Sequence, residues 1–541
     1  MDTRQNRYEV DVLISGYGPT GATLAALLGK RGYRVLAIDR MAAIYDKPRA
    51  ITADQEALRI FQEIGIANEV HETSSPHPGT DFVGVDDQVI KRFYPAPPPN
   101  PLGWTPSFMF VQPELEATLR RAVAGMPSVQ TLLEHELLDF TQDAERVQAR
   151  VRRLADGVDV TVDARYLVAA DGASSVVRKQ LAPRIEDLAF DEWWLVVDAW
   201  VRGPVDLPAR CVQYCRPSRP GTYIVGPGTL RRWEIKIMPH ETPEKFHAHE
   251  AVWNVLREFV DTSALEHCRT AIYRFHALVV DRWREGRVFL AGDAAHQMPP
   301  FMGQGLGAGV RDAFNLAWKL DAALHGRATP ALLDTYGEER KRHVRTVVGH
   351  TKSFALIIGE LDVEAARERD RRLGEELRSG RAETIRQRFI PGLETGLIAR
   401  ASDGSAAPGA GELLVQPWVR ESDAAPWQRL DDVLGPACAI LVRDPAALDA
   451  LDDDLRARWQ AIGGRVAVVR AAGSPPPQRV ADELQLEARE DLLAAGLDAQ
   501  QGVGLVARPD RYVFGVAGTP AALRELVVQL LARLRGEEPA A

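Results

Sequence analysis

The chain has 541 residues, which at roughly 100–200 residues per domain suggests about three structural units with large cores. Apolar residues make up 45% and charged residues 26%, ordinary globular usage that excludes collagen-like, disordered and disulfide-scaffold classes. Subtracting 75 acidic from 66 basic residues leaves −9, so no basic field is present to hold nucleic acid. No run of about 20 apolar residues predicts a membrane span, and the amino-terminal stretch lacks the apolar segment of an export signal. Cys211, Cys215, Cys268 and Cys438 are too few for a disulfide framework and are not spaced as zinc-binding CxxC pairs. A cytoplasmic protein without bound metal is expected, with Cys211 and Cys215 as core thiols on one strand face.

In chain order, the first signal is an apolar run, Val10 to Ile14, followed by Gly16-Tyr17-Gly18-Pro19-Thr20-Gly21 and a helical stretch through Leu24, Ala25, Leu27 and Leu28. A second apolar run, Val35 to Ile38, closes with Asp39 and Arg40. A bare GxGxxG is weak, since glycines serve turns for steric reasons alone, but here it joins a strand to a helix. Gly16 permits the tight turn, Gly18 lets a pyrophosphate approach the backbone, and Gly21 lets helix pack on strand; the helix N-terminus offers N–H groups to phosphate. Asp39, about 20 residues beyond Gly18, is placed to accept a ribose diol. The plainer alternative is a βαβ turn with a surface aspartate, and the pattern does not separate NAD from FAD.

A further apolar strand, Tyr166 to Ala170, runs into Asp171-Gly172-Ala173-Ser174-Ser175-Val176-Val177-Arg178. Taken alone, Asp171 reads as a helix N-cap and Arg178 as a surface ion pair. From about Ile185 to Val280, text such as WWLVVDAWV and RRWEIKIM predicts a separate sheet. The strand ending at Leu290 leads to Gly292-Asp293, and a turn from Pro299 through Gly305 and Leu306 enters a helix carrying Asp312, Asn315 and Trp318. His296, beside small residues at a strand end, reads as structural. Helical text continues to the charged stretch around Arg367–Arg388, and Ala401–Gly411 reads as a linker. Beyond it, strands at 439–442, 466–469, 503–507 and 512–516, with helices near 448–462 and 521–534, predict a small α/β layer fold. Proline clusters at 95–101 and 475–477 predict loops.

The Asp171–Arg178 and Gly292-Asp293 segments resemble the DGxxSxVR and GD signatures of single-component flavin-dependent aromatic hydroxylases, the p-hydroxybenzoate hydroxylase-like family. The resemblance spans about Val10 to Arg345 and takes in Pro48-Arg49-Ala50 and Gln112-Pro113-Glu114-Leu115. Around RRWEIKIMP and LLDTYGEER the chain is similar to the branch of 3-(3-hydroxyphenyl)propionate hydroxylase. The fold implied is α/β: a Rossmann-like FAD-binding domain in two parts, 1–184 and 281–400 with a helical segment, a β-rich substrate domain over 185–280, and a thioredoxin-like C-terminal domain over 412–541. That last unit has one cysteine, Cys438, whereas thiol–disulfide exchange needs two, so packing or oligomer contacts are its expected use.

The resemblance implies that Gly16, Gly18 and Gly21 hold the FAD pyrophosphate and Asp39 the adenosine ribose, with Pro19, Thr20, Arg40, Gly292 and Pro299 in the same cofactor site. Arg49 and Gln112 would contact the phosphate and ribityl region, Asp293 the ribityl chain, and Asp171 and Arg178 a motif linked to both FAD and NAD(P)H. Gly305 and Leu306 would present backbone donors to the flavin pyrimidine, where reduction leaves negative charge. An asparagine often follows this segment in the family; here Gly307 stands instead, and a side-chain amide is lost.

The implied reaction uses NADH or NADPH to reduce FAD and passes one oxygen of O2, through a C4a-hydroperoxyflavin, to a phenolic ring. The expected substrate is 3-(3-hydroxyphenyl)propionate or a related phenol. Hydroxylation of nitrocatechols, other phenols or polyketides is the alternative, and a non-catalytic flavin-binding regulator is the alternative of another class. No second GxGxxG follows a strand and no GWxWxIP is present, which weighs against two-dinucleotide monooxygenases and halogenases. No catalytic side chain is assigned. Tyr214, Trp233 and Pro299 are the substrate-pocket candidates, with Trp193 set against a core reading, and Arg216, Arg232 and Lys236 are candidates to meet a substrate carboxylate.

Overall fold

The computed structural model describes residues 7–401, 403–474 and 483–537, so the proline cluster at 475–477 lies outside the described residues. The dinucleotide-type sheet centres on Arg7–Ser15, flanked in parallel by Asp159–Ala169 on one side and Val35–Asp39 on the other. Val129–Leu133 extends it beyond Val35–Asp39, and Val288–Leu290 beyond Asp159–Ala169, both in parallel. Val12, Leu13 and Ile14 are fully buried, as a parallel strand covered on both faces requires. The crossover from the first strand to the second is the helix Pro19–Gly29, whose Leu24, Ala25, Leu27 and Leu28 are buried.

A second sheet of eight strands runs in the order His296–Gln297, Leu265–Val280, Ile185–Val201, Leu230–Lys236, Gly221–Val225, Cys211–Tyr214, Thr80–Val83 and Val89–Phe93. It is wider than the stretch 185–280. Thr80–Val83 pairs in parallel with Cys211–Tyr214, and the antiparallel strand Val89–Phe93 forms that edge. Asp81, Lys91 and Arg92 interrupt the apolar text of these two strands, which hid them from a reading by hydrophobic period.

Alternation along Leu230–Lys236 fixes the two faces of this sheet. Trp233 and Ile235 enter an apolar cluster with Val252 and Leu256 of the helix His249–Leu256, while Arg232 and Glu234 turn to the opposite face, toward the dinucleotide-type sheet.

The C-terminal unit is a mixed sheet ordered Gln428–Arg429, Trp418–Arg420, Leu484–Ala488, Arg465–Ala471, Ala439–Val442, Gly504–Ala507 and Val513–Ala517, with the helix Pro520–Leu534 packed on it. The strands Trp418–Arg420 and Leu484–Ala488 and the helix Leu492–Ala499 were not expected from the sequence pattern. The charged stretch near 367–388 is not one helix. Val363–Arg378 is helical, and the chain then returns beside Tyr94, which exchanges backbone hydrogen bonds with Thr384 and Arg386. No helix of the described residues is long and apolar enough to cross a membrane.

Candidate active site

The glycine turn is shaped by contacts that only glycine allows at two positions. Gly16 has φ +99°, and a Cβ there would lie 2.2 Å from the Ala170 carbonyl oxygen; a Cβ at Gly21 would lie 2.0 Å from the Gly16 oxygen. Gly18 is different, with nothing within 4 Å of such a Cβ, so its open side is available to a ligand. The helix that follows begins with Pro19 and has neither a side-chain cap nor an acidic residue in its first turn. The helix Gly305–Leu324 likewise has no side-chain cap and no acidic residue in its first turn. Gly18, Pro19 and Thr20 from the first end and Gly305 and Leu306 from the second line one cavity of about 500 Å³. Two uncapped N-termini present free N–H groups and two partial positive charges to it, which favours an anionic or electron-rich ligand.

Arg49, Gln112 and Asp293 also line this cavity. Gln112 is held by both amide atoms: Oε1 accepts the Ala50 N–H at 2.6 Å and Nε2 donates to Glu116 at 2.7 Å, while Arg49 reaches the same Glu116 oxygen at 3.3 Å. Asp293 opens onto the cavity while protein surrounds it, and burial raises its carboxyl above the usual range. Behind it, Asp312 accepts the Gly292 N–H at 3.0 Å, pairs with His296 Nε2 at 2.8 Å and meets Arg340 at 2.8 Å. His296 stacks on Trp283, so its ring is fixed from two sides.

The two other motif residues act as a brace. Arg178 donates to the Asp293 and Ala294 carbonyls at 3.1 and 3.0 Å and to the Ala173 carbonyl, tying the DG segment to the GD turn. Asp171 Oδ2 accepts the Val176 N–H at 3.0 Å, its Oδ1 is buried without a partner, and burial raises its carboxyl. Asp39 caps the second strand: its oxygens accept the Tyr17 and Met41 N–H groups, each at 2.8 Å. Arg40 beside it is exposed, and neither residue lines the cavity.

The far wall is the second sheet. Val196, Glu234, Thr222 and Gln213 are register neighbours across four adjacent strands and line the cavity together. One step along lies a second row in which Arg232 pairs with Asp198 at 2.7 and 3.1 Å, and Arg269 reaches Asp198 at 3.4 Å. Both arginines also donate to the Pro48 carbonyl, which fastens the Pro48-Arg49 segment to the sheet. Arg386 is the remaining buried cation on the wall. It donates to the Met302 carbonyl, and among the described residues it has no carboxylate within ion-pair distance. Burial lowers its pKa, with Asp54 and Cys211 acting in the opposite direction from further off.

Several substrate-pocket candidates lie elsewhere. Tyr214 packs against Phe259, and Trp233 against Tyr223, on the side of the sheet away from the cavity, because both occupy the opposite phase of strand alternation from Gln213 and Glu234. Trp193 is exposed beneath Arg274. Pro299 is buried between Met298 and Pro300, which line the cavity while it does not. Arg216 pairs with Asp87 at 3.3 Å, and Lys236 with Glu192 at 2.7 Å. Of those three cations only Arg232 reaches the cavity, and Asp198 already holds it. Neither Glu234 nor Arg386 is marked by a sequence motif, and Arg386 falls in the charged stretch that closes the helical text. The Gly307 departure has a steric reason, since a Cβ there would lie 2.9 Å from Arg311 Nη1. That guanidinium is held by Asp54 at 2.6 Å and by Glu56.

An open glycine turn, two helix N-termini and an aspartate face one cavity with a sheet wall opposite, features suited to a dinucleotide and an adjoining small ligand. The family model described as an FAD binding domain matches residues 9–351, and one described as the HcaD C-terminal domain matches 411–533. A 3-(3-hydroxy-phenyl)propionate/3-hydroxycinnamic acid hydroxylase of Burkholderia vietnamiensis is 36% identical over 97% of this chain and 98% of its own. A probable NADH-specific resorcinol 4-hydroxylase of Rhodococcus jostii is 32% identical over 97% and 95%. The flavin-dependent monooxygenase PieE, solved with FAD and substrate, has the same fold with a TM-score of 0.78 at 24% identity over 97% of this chain and 99% of that one. Aklavinone-11 hydroxylase gives 0.76 at 23%, again over 97% and 99%. The chain belongs to the single-component FAD-dependent aromatic hydroxylases.

Proposed function

We propose that this enzyme hydroxylates a phenol whose side chain ends in a carboxylate, 3-(3-hydroxyphenyl)propionate and its cinnamate analogue being the favoured class, with NADH or NADPH and O2 as co-substrates in the cytoplasm. The observation that carries the choice is Arg386, a buried guanidinium on the cavity wall that has no carboxylate partner among the described residues. A cation removed from water is costly without a counter-charge, and a substrate carboxylate would supply one. The names of the Burkholderia relatives support the same class.

The cavity fits FAD: Gly18 leaves an approach open, two helix ends favour its phosphate and pyrimidine, and Asp293 faces the space a ribityl chain would need. Gly18, Pro19 and Thr20 would hold the pyrophosphate, Arg49, Gln112 and Asp293 the ribityl region, and Gly305 and Leu306 the pyrimidine edge. When bound, FAD supplies reduction by NAD(P)H and the activation of O2 for transfer to the ring. The protein's part is to orient the ring and keep water from it. Val196, Ile224, Phe93, Met298 and Phe301 give the pocket an apolar lining, and Arg386 would fix the acid end.

The test is a panel in which NADH consumption and hydroxylated product are measured together for 3-(3-hydroxyphenyl)propionate, its cinnamate analogue, 3-hydroxybenzoate, a nitrocatechol and an uncharged alkylphenol. Tight coupling with the propionate and cinnamate, and a KM raised about tenfold or more for them alone in Arg386→Met, is the expected result. Coupling confined to the uncharged or nitro compounds rejects the carboxylate assignment while leaving the hydroxylase in place.

A further inference from the structure

We propose that Glu234 receives the phenolic proton of the substrate, which makes it a catalytic residue of the hydroxylation. The inference rests on the phenol reading above but not on the substrate's carboxylate. Glu234 belongs to the cavity-facing row Val196, Glu234, Thr222 and Gln213 and is only 4% exposed, yet among the described residues no protein group donates a hydrogen bond to its carboxylate. Its nearest cation, Arg232 Nη1, stands 3.9 Å away and is already bound to main-chain carbonyl oxygen. The hydroxyl of Thr222 is committed to Gln213 Oε1 at 2.5 Å. A buried carboxylate with unfilled acceptor sites, opening on a substrate cavity, calls for a donor from the ligand, and a phenolic O–H is one.

The surroundings suit a proton acceptor. Burial pushes the Glu234 carboxyl up, Arg232 and Arg269 pull it back, Asp198 adds to the rise, and the balance lies at about 7. Arg232 shares its strand, Asp198 and the neutral Thr222 lie on the two adjacent strands, Arg269 and the neutral Gln213 lie one strand further out on either side, and Tyr273, bonded to Arg269, lines the same cavity. A base poised near neutral is ionised enough to accept and basic enough to be useful. The step is balanced: the phenol O–H bond breaks, the proton goes to a Glu234 oxygen, and the electron pair stays on the phenolate, which is the better nucleophile toward an electrophilic oxygen. The three histidines on the wall serve less well, and His276 is turned to Asp191 at 3.6 Å. His77 is kept neutral by burial and by Arg386, while His296 is bonded to Asp312.

The experiment compares wild type with Glu234→Gln, both FAD-loaded, on whichever phenol the wild type hydroxylates and on ring-fluorinated analogues of lower phenol pKa. Before any reductant is added, ultraviolet difference spectra of the low-pKa fluorinated analogues should show more bound phenolate in wild type than in the variant. Turnover of the parent phenol should fall at least about 100-fold in Glu234→Gln, with the deficit shrinking as the analogue's pKa falls. The wild-type ionisation near neutral pH should vanish from the variant's profile. An unchanged difference spectrum, or a loss equal across all analogues, would overturn the assignment and leave Glu234 as a packing group. Because the comparison uses any phenol that is turned over, a failed carboxylate reading, seen as coupling to uncharged phenols only, is separately visible.

Discussion

Two buried charge clusters in this molecule differ in how completely they are paired. At the seam between the C-terminal unit and the FAD-type domain, Arg508 donates to Asp510 at 2.9 and 2.6 Å, to Glu339 at 2.9 and 2.8 Å, and to the Leu397 carbonyl at 2.9 Å. Glu339 in turn accepts from Lys319, Asn315 and the Leu397 N–H. On the cavity wall, by contrast, among the described residues Arg386 has a single carbonyl partner, and Glu234 has no donor. A closed network fixes one geometry and has nothing left for a ligand, whereas an open one at the same depth retains interactions that only a ligand can complete.

Removing one cation from each cluster should have the most unequal effects. Arg508→Met leaves Glu339 and Asp510 buried against each other without their guanidinium, and should lower unfolding free energy by about 3–5 kcal/mol, read from denaturant midpoints. Arg386→Met should move ligand-free stability far less, while raising KM for a carboxylated phenol. Equal stability losses in the two variants would mean that Arg386 is structural and that incomplete pairing does not mark the site.

Much of the fold could be read from the sequence because it follows local periodicity. The strand, glycine turn and helix at Val10–Leu28, the strand Ala439–Val442 and the final helix near 521–534 all carry strong patterns over contiguous residues. The glycine turn was legible for the same reason, since its spacing is local, and Gly18, Pro19 and Thr20 do line the cavity while Asp39 and Arg40 lie off it. The opposite wall of the cavity was not. Gln213, Thr222, Glu234 and Val196 meet through register across four strands, and Arg386 arrives from a segment far along the chain, so no local spacing announces them. Tyr214 and Trp233 were chosen as large aromatics in the correct sheet, but the phase of alternation sends them to its other face.

A smaller effect is expected on the cofactor side. Asp293→Ala removes a carboxylate that faces the cavity and should weaken FAD retention by about 1–3 kcal/mol, measured as loss of yellow colour through gel filtration or by flavin titration. A colourless wild type that takes up NAD but not FAD would contradict the assignment of the cavity itself.

The two clusters should also respond to pH in opposite directions. Burial alone would raise the Glu339 carboxyl, but Arg508 and Lys319 outweigh it and hold it well below its usual range, so its contribution is present at neutral pH and lost as pH falls through that lowered value. Glu234 is raised from 4.5 to about 7, so the stability associated with its protonated form is present below about 4.5 and lost as pH rises through 7. Ligand-free Glu234→Gln should therefore lose less stability than wild type between pH 5 and pH 8. A parallel pH dependence in the two proteins would show that Glu234 does not titrate there.

The smallest effect is expected at Cys438, and it bears on what the C-terminal unit does. Cys438 is buried in that unit's core with Ile440, Val442 and Val506, and burial pushes its thiol up to about 12. A thiol so placed yields almost no thiolate at neutral pH, and the unit has no second cysteine with which to exchange. The seam supports a packing role instead, through Arg508 and the Tyr512 hydroxyl, which donates to Glu56 at 3.0 Å. Cys438→Ser should leave turnover and FAD content unchanged and cost at most about 1–3 kcal/mol of stability, from a hydroxyl buried where the thiol packed. Lost turnover in a variant that stays folded and flavin-loaded would return a redox part to the unit, and the closed pairing at the seam would then not describe all that it does.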